Sequence, residues 1–262
     1  MVRNLLIANV LVYLLQVNLR LSPSITQLGS LYLVESPYFH VWQFFTYMFL
    51  HDQSDVMHIA SNMFGLISFG PLLEQRWGGQ RFLAFWLMCG VGAGVLYEGV
   101  RTYEVYQFKA AFAQVVQHPD AGQFSQLMQQ VNDRDMNDYA AAEALSRNPA
   151  DPALQQAVAQ QATQLYNDVV ASPYGGMLGA SGALFGVLFA FAYLFPNTEL
   201  RLIIPPIPMK AKYFVGLYAL FELYSGVHRA PGDNVAHFAH LGGLVIGFII
   251  LRFWERDRSQ FY

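Results

Sequence analysis

The chain has 262 residues, a net charge of −3 and a single cysteine, Cys89. Residues of the AVILMFWYC set make up 54% before the 21 glycines are counted, and charged residues only 13%; soluble domains run at roughly 45–50% apolar with glycine included and about 25% charged. This excludes a disordered chain and argues against an ordinary soluble enzyme. The weak negative charge argues against a nucleic-acid binder, and one cysteine supplies neither an internal disulfide nor a cysteine-based zinc cluster.

In chain order, the first charge-free window is 4–19, between Arg3 and Arg20. A cleaved signal peptide would need a small-x-small site after it, but Arg20-Leu21-Ser22-Pro23 follows, so a retained helix is expected. Residues 36–50 hold seven aromatics, including Trp42, and read as an interfacial anchor. Further windows are 56–73 and 82–97, then the last 20 or so residues of 169–198, counted from about Tyr174, and finally 234–251. A sixth segment, 213–227, is interrupted only by Glu222. A spanning helix needs roughly 20 mostly apolar residues, and each window reaches that once a terminal Arg or Glu snorkels. The expectation is an all-α polytopic membrane protein with six transmembrane helices.

Between the third and fourth windows lies the polar stretch 104–171. It is rich in Gln and Ala and carries three bases and eight acids, for a net charge of −5. Ala and Gln favour helix, and Pro119, Pro149 and Pro152 should divide it into about three pieces. The expected organisation is 1–103 with three spans and an interfacial first loop, 104–171 as a helical insertion, and 172–262 with three spans and a short tail. Basic residues set orientation. With the N-terminus inside, Arg3, Arg76, Arg81, Arg201, Lys210, Lys212, Arg252, Arg256 and Arg258 are internal, while the short outer loops hold only Arg20 and Arg229. Arg134 and the other bases of 101–147 fall in or beside the long loop, which the rule does not count. Both termini are therefore expected in the cytoplasm and the insertion outside.

Three polar clusters fall within these apolar segments, where an ionisable group is a functional hypothesis by default. Gly179-Ala180-Ser181-Gly182 places Ser181 about seven residues into the fourth span, and Gly182 with Gly186 forms a GxxxG. Taken alone this is a close-packing patch. In the last span, His237 and His240 share a helix face, and Gly243 and Gly247 form a second GxxxG just below. Two such faces can approach closely enough for a histidine to take the proton of a serine and activate it as a nucleophile. His58 and Asn62, four apart, share a face of the second helix, and both can donate hydrogen bonds to an oxyanion. Alone, they are two satisfied polar groups in a bundle. Four imidazoles, His51, His58, His237 and His240, would also suit zinc, but no HExxH and no carboxylate accompany them, so no metal is expected. Glu74 and Arg76 read as a boundary ion pair, and Glu222 as a hydrogen-bonded structural residue rather than a gating one.

The motifs His58-x-x-x-Asn62, Gly179-Ala180-Ser181-Gly182 and Ala236-His237-x-x-His240-x-x-Gly243-x-x-x-Gly247, in this order, resemble those of the rhomboid intramembrane serine proteases of the bacterial six-helix type. Trp42-Gln43-Phe44-Phe45-Thr46 and Glu74-Gln75-Arg76 add to the resemblance, which covers about 1–100 and 174–254. It implies a six-helix bundle that cleaves transmembrane segments of other proteins within the bilayer, with no cofactor. Ser181 would be the nucleophile, His240 the general base, and His58, Asn62 and the Ser181 N–H the oxyanion hole. Gly179, Gly182, His237, Gly243 and Gly247 would give structural support. The competing expectation is a catalytically inactive relative that binds membrane proteins; such relatives lack the serine or the histidine, and both are present here. The insertion 104–171 departs from the family pattern.

Overall fold

A computed structural model of the chain describes residues 1–131, 136–172, 175–201, 207–228 and 235–255. Asp133, Arg134, Asp135, Tyr174, Arg229, Asn234, Arg256 and Arg258 lie outside the described residues. The chain is predominantly α-helical. Helix α1 (Val2–Asn18) leads into a loop carrying two short helices, α2 (Ile25–Gly29) and α3 (Gln43–Thr46), and a 3-10 turn (Tyr47–Phe49). The loop is fastened to α1 through Gln16, whose side chain accepts from the His51 N–H at 3.0 Å and donates to the His51 carbonyl at 3.1 Å. Next come α4 (Val56–Trp77), α5 (Gly79–Gln117), α6 (Ala121–Val131), α7 (Met136–Arg147), α8 (Pro152–Ala171) and α9 (Ser181–Leu194). The strands β1 (Glu199–Arg201) and β2 (Pro208–Lys210) precede α10 (Ala211–Val227) and α11 (His237–Trp254).

Local chemistry sets the helix limits. Asp55 caps α4 by accepting from the Met57 N–H at 2.9 Å, and Gly78, at φ +81, lets the chain turn directly into α5. Asp151 caps α8, with Pro152 in the first turn, where a missing N–H is harmless. The antiparallel hairpin β1–β2 sets Glu199 opposite Lys210; an all-α reading did not anticipate it.

Helix α9 is apolar all round and buried along most of its length, as a helix at the centre of a bundle must be. It packs against α4, α5 and α11, and the main core joins these helices with α1. The outer faces are apolar as well: Phe253 is 74% exposed, Leu220 64% and Phe64 60%. A surface this apolar is suited to lipid rather than water. Helices α4, α5 and α11 are long and apolar enough to cross a membrane, and α1 and α9 are shorter apolar helices.

Helix α5 has 39 residues and is about 58 Å long at 1.5 Å per residue, against a hydrocarbon core of roughly 30 Å. Its far end joins α6, α7 and α8 around a second core that includes Phe112, Val115, Phe124, Met128, Leu145, Val158 and Ala162. Glu74 and Arg76 do not pair with each other. Glu74 accepts from the Val2 N–H at 2.8 Å, and Arg76 donates to Glu255 at 2.8 Å, so these two residues tie the end of α4 to the start of α1 and the end of α11.

Candidate active site

Ser181 is the first residue of α9. The sequence placed it seven residues into a span that began near Tyr174; instead, the approach to it is extended. Leu31 and Met177 exchange two backbone hydrogen bonds at 2.8 Å, and the Gly179 N–H donates to the Tyr47 carbonyl at 3.0 Å. These bonds hold 177–179 against the first loop, and Gly179, at φ +129, makes the turn into the helix. The N-cap residue Ala180 has no capping side chain. The first N–H groups of α9 thus lack intrahelical partners and end at the serine, where the helix dipole favours negative charge.

Helices α9 and α11 meet glycine to glycine. A β-carbon on Gly243 would fall against the Gly182 carbonyl, and one on Gly247 would lie 3.1 Å from Gly186 Cα. This close approach brings His240 Nε2 to 2.8 Å from Ser181 Oγ. The His240 ring lies flat on Phe185, 4.2 Å between centroids at 6°. Glu222, reaching from α10, presents one oxygen, Oε2, at 2.8 Å from His240 Nδ1 and 2.6 Å from His237 Nδ1. All three residues are buried. Gly226, one turn along α10, permits this approach, since a β-carbon there would lie 3.2 Å from His237 Cβ.

His58 and Asn62 share a face of α4 as expected. Asn62 donates one amide hydrogen to the His58 carbonyl at 2.8 Å and has a second to offer. His58 Nδ1 accepts from the Asp52 N–H at 3.3 Å, which leaves the ring proton on Nε2. That atom faces Gly179, at 2.8 Å from where a β-carbon would sit. Ser54 donates to Asp52 from its N–H and its hydroxyl, at 2.8 and 2.7 Å, and lowers that carboxyl's pKa. His51 packs edge-on against His58, 5.2 Å between centroids. Burial pushes the His51 imidazole down to about 4.

Ser181, His240, His58 and Asn62 all line one open cleft of about 2420 Å³. Pockets for small ligands run to roughly 300–1,000 Å³, so this one has room for a polypeptide segment. Phe64 and Phe69 of α4 and Tyr218 and Phe221 of α10 contribute its apolar lining; Glu104 of α5 and Asp168 of α8 line it as well.

Glu222, His237 and His240 also have the residue types of a metal site. The carboxylate that the sequence reading found missing is therefore present. However, zinc bonds of about 2.0–2.2 Å at tetrahedral angles hold their ligand atoms roughly 3.3 Å apart. Contacts of 2.6 and 2.8 Å to one oxygen are hydrogen-bond lengths. The sequence reading missed the Glu222–His240 contact, the Phe185 stack and the helix start at Ser181. The one available signal was a lone acid in an apolar segment.

A bundle of apolar helices with a serine, a histidine and hydrogen-bond donors facing a common cleft is the architecture of a multi-pass membrane protein with a polar site among its helices. Residues 38–106 and 154–254 match the Rhomboid domain, and the chain belongs to the rhomboid family. Among curated proteins it is similar to "Rhomboid protein 1, mitochondrial" of Saccharomyces cerevisiae, 39% identical over 75 residues. That match covers 29% of this chain and only 21% of the yeast protein.

Proposed function

We propose that the protein is an intramembrane serine endopeptidase of the bacterial six-helix type that cleaves transmembrane segments of other membrane proteins. The observation that carries this reading is the 2.8 Å contact between Ser181 Oγ and His240 Nε2 at the uncapped start of α9, beside His58 and Asn62. His240 takes the serine proton as Oγ bonds to the scissile carbonyl carbon, and the carbonyl electron pair moves onto its oxygen. The Ser181 N–H, His58 Nε2–H and the second Asn62 amide hydrogen stabilise that oxyanion. When the intermediate collapses, the C–N bond breaks and His240 gives its proton to the leaving nitrogen. A water then repeats the sequence on the acyl-enzyme.

Helices α1, α4, α5, α9, α10 and α11 are the six spans, with both termini cytoplasmic and the site opening to the outer face. The residues 104–171 form the helical insertion between 1–103 and 172–262, and they stand at the outer mouth, where their net charge of −5 selects or orients substrate ectodomains; the alternative is a tolerated surface insertion with no such role. The substrate span must unwind to expose a carbonyl, so Gly or Pro near the outer face favours cleavage.

The test is labelling of the purified protein with a fluorophosphonate and hydrolysis of a reporter transmembrane substrate. Both should occur in the wild type and vanish in Ser181→Ala and in His240→Ala, and the double variant should be no worse than either single one. A folded wild type that neither labels nor cleaves supports the catalytically inactive, membrane-protein-binding alternative instead.

A further inference from the structure

Among the described residues, Glu222 is the one acidic side chain buried between α10 and α11, and the dyad mechanism leaves it without a task. Its Oε2 meets His237 Nδ1 at 2.6 Å and His240 Nδ1 at 2.8 Å. If the carboxyl were protonated, its single hydrogen could serve only one of the two rings. At least one Nδ1–H must therefore donate to it, and an ionised carboxylate accepts from both. A buried carboxylate is tolerated when it is hydrogen-bonded in this way. With the His240 proton on Nδ1, its Nε2 is left bare and facing the Ser181 hydroxyl at 2.8 Å. The opposite tautomer would point an N–H at the serine and could not accept its proton.

We propose that Glu222 is a positioning residue that completes a Ser181–His240–Glu222 triad, with His237 holding the carboxylate in place from its other side. This rests on the protease reading above. Glu222 keeps His240 in the tautomer with the proton on Nδ1. It also compensates the positive charge that develops on the ring when Nε2 takes the serine proton. The carboxylate gains no proton itself: Nε2 acquires the serine hydrogen, passes it to the leaving nitrogen, and the Nδ1–H···Oε2 bond persists throughout. His237 Nδ1–H fixes the acceptor, and Phe185 fixes the plane of the ring. The third member comes from α10, a wall of the cleft, and Gly226 on the same helix gives it the close approach it needs.

The experiment compares wild type with Glu222→Gln and Glu222→Asp in detergent, each normalised to folded protein by size exclusion and thermal unfolding. Replacing the triad carboxylate of a soluble serine protease by its amide lowers kcat by about 10⁴ through the wrong tautomer. Glu222→Gln should accordingly lose roughly 10²–10⁴ in kcat with KM unchanged, and Glu222→Asp should recover part of the loss. The ¹⁵N resonances of His240 in the wild type, identified by their absence in His240→Gln, should report a proton on Nδ1. A folded Glu222→Gln with wild-type kcat overturns the triad while leaving the protease reading intact. So does a His240 ring protonated on Nε2 alone, a measurement that needs no Glu222 variant to fold. Glutamine and aspartate variants that lose thermal stability but keep kcat per folded molecule show a merely structural carboxylate, and they overturn the triad too. A wild type without Ser181-dependent turnover overturns both.

Discussion

The Gly182 carbonyl oxygen lies 1.9 Å from the point where a β-carbon on Gly243 would sit. No side chain can bend away from that clash, because both partners are backbone. The separation of α9 and α11, and with it the 2.8 Å between Ser181 and His240, depends on a hydrogen in place of a methyl group.

Gly243→Ala should therefore fail more severely than an ordinary overpacked core, which costs about 1–3 kcal/mol. We expect a large fall in thermal midpoint in detergent and loss of fluorophosphonate labelling. Gly247→Ala, at 3.1 Å from Gly186, should be milder. Gly99→Ala, with nothing within 4 Å, should be neutral or slightly stabilising through helix propensity. Equal melting of all three variants would refute this account of the helix crossing.

The oxyanion donors give a second expectation. Removing one such donor typically lowers kcat by about 10²–10³. Asn62→Ala should show a loss of that size with KM little changed, measured on a reporter substrate. His58→Ala should show it as well, together with lower stability, because its Nδ1 also holds the Asp52 N–H. A change confined to KM in both variants would mark them as substrate contacts instead.

His51 predicts a pH dependence. Its folded pKa of about 4 lies below the unfolded value of 6.5. The unfolded chain therefore binds more protons between those values, and the stabilisation is complete above pH 6.5 and lost as pH falls through about 4. The thermal midpoint of the wild type should drop between pH 7 and pH 4.5. In His51→Leu, of similar bulk and without a titrating group, the drop should be smaller. Parallel curves for the two proteins would remove His51 as the cause.

The second core makes a separable prediction. Phe124 is fully buried among residues of α5 to α8, away from the main core. Phe124→Ala should destabilise that unit by about 3–5 kcal/mol and open it to limited proteolysis. Labelling of Ser181 should persist, while cleavage of substrates with basic ectodomains should fall relative to neutral ones. Loss of labelling would show that the two cores fold as one.

The sequence alone carried the apolar segments, the shared face of His58 and Asn62, and the paired GxxxG faces of α9 and α11. These follow from helix periodicity and from the absence of a side chain at glycine, which are properties of single segments. The end of α5 was not legible from charge, because the helix continues beyond Glu98 by packing Phe112 and Val115 into the second core after the charge-free run has stopped. The start of α9 was hidden for a different reason. Met177 and Leu178 are good helix formers, but backbone bonds from 177 and 179 to Leu31 and Tyr47, more than a hundred residues away, hold this approach out of the helix and deliver Ser181 to the helix terminus. Glu222 read as a lone acid because its partners sit on another helix, 15 and 18 residues on. Which rings it meets depends on how α10 crosses α11 at Gly226, and only packing in three dimensions decides that crossing.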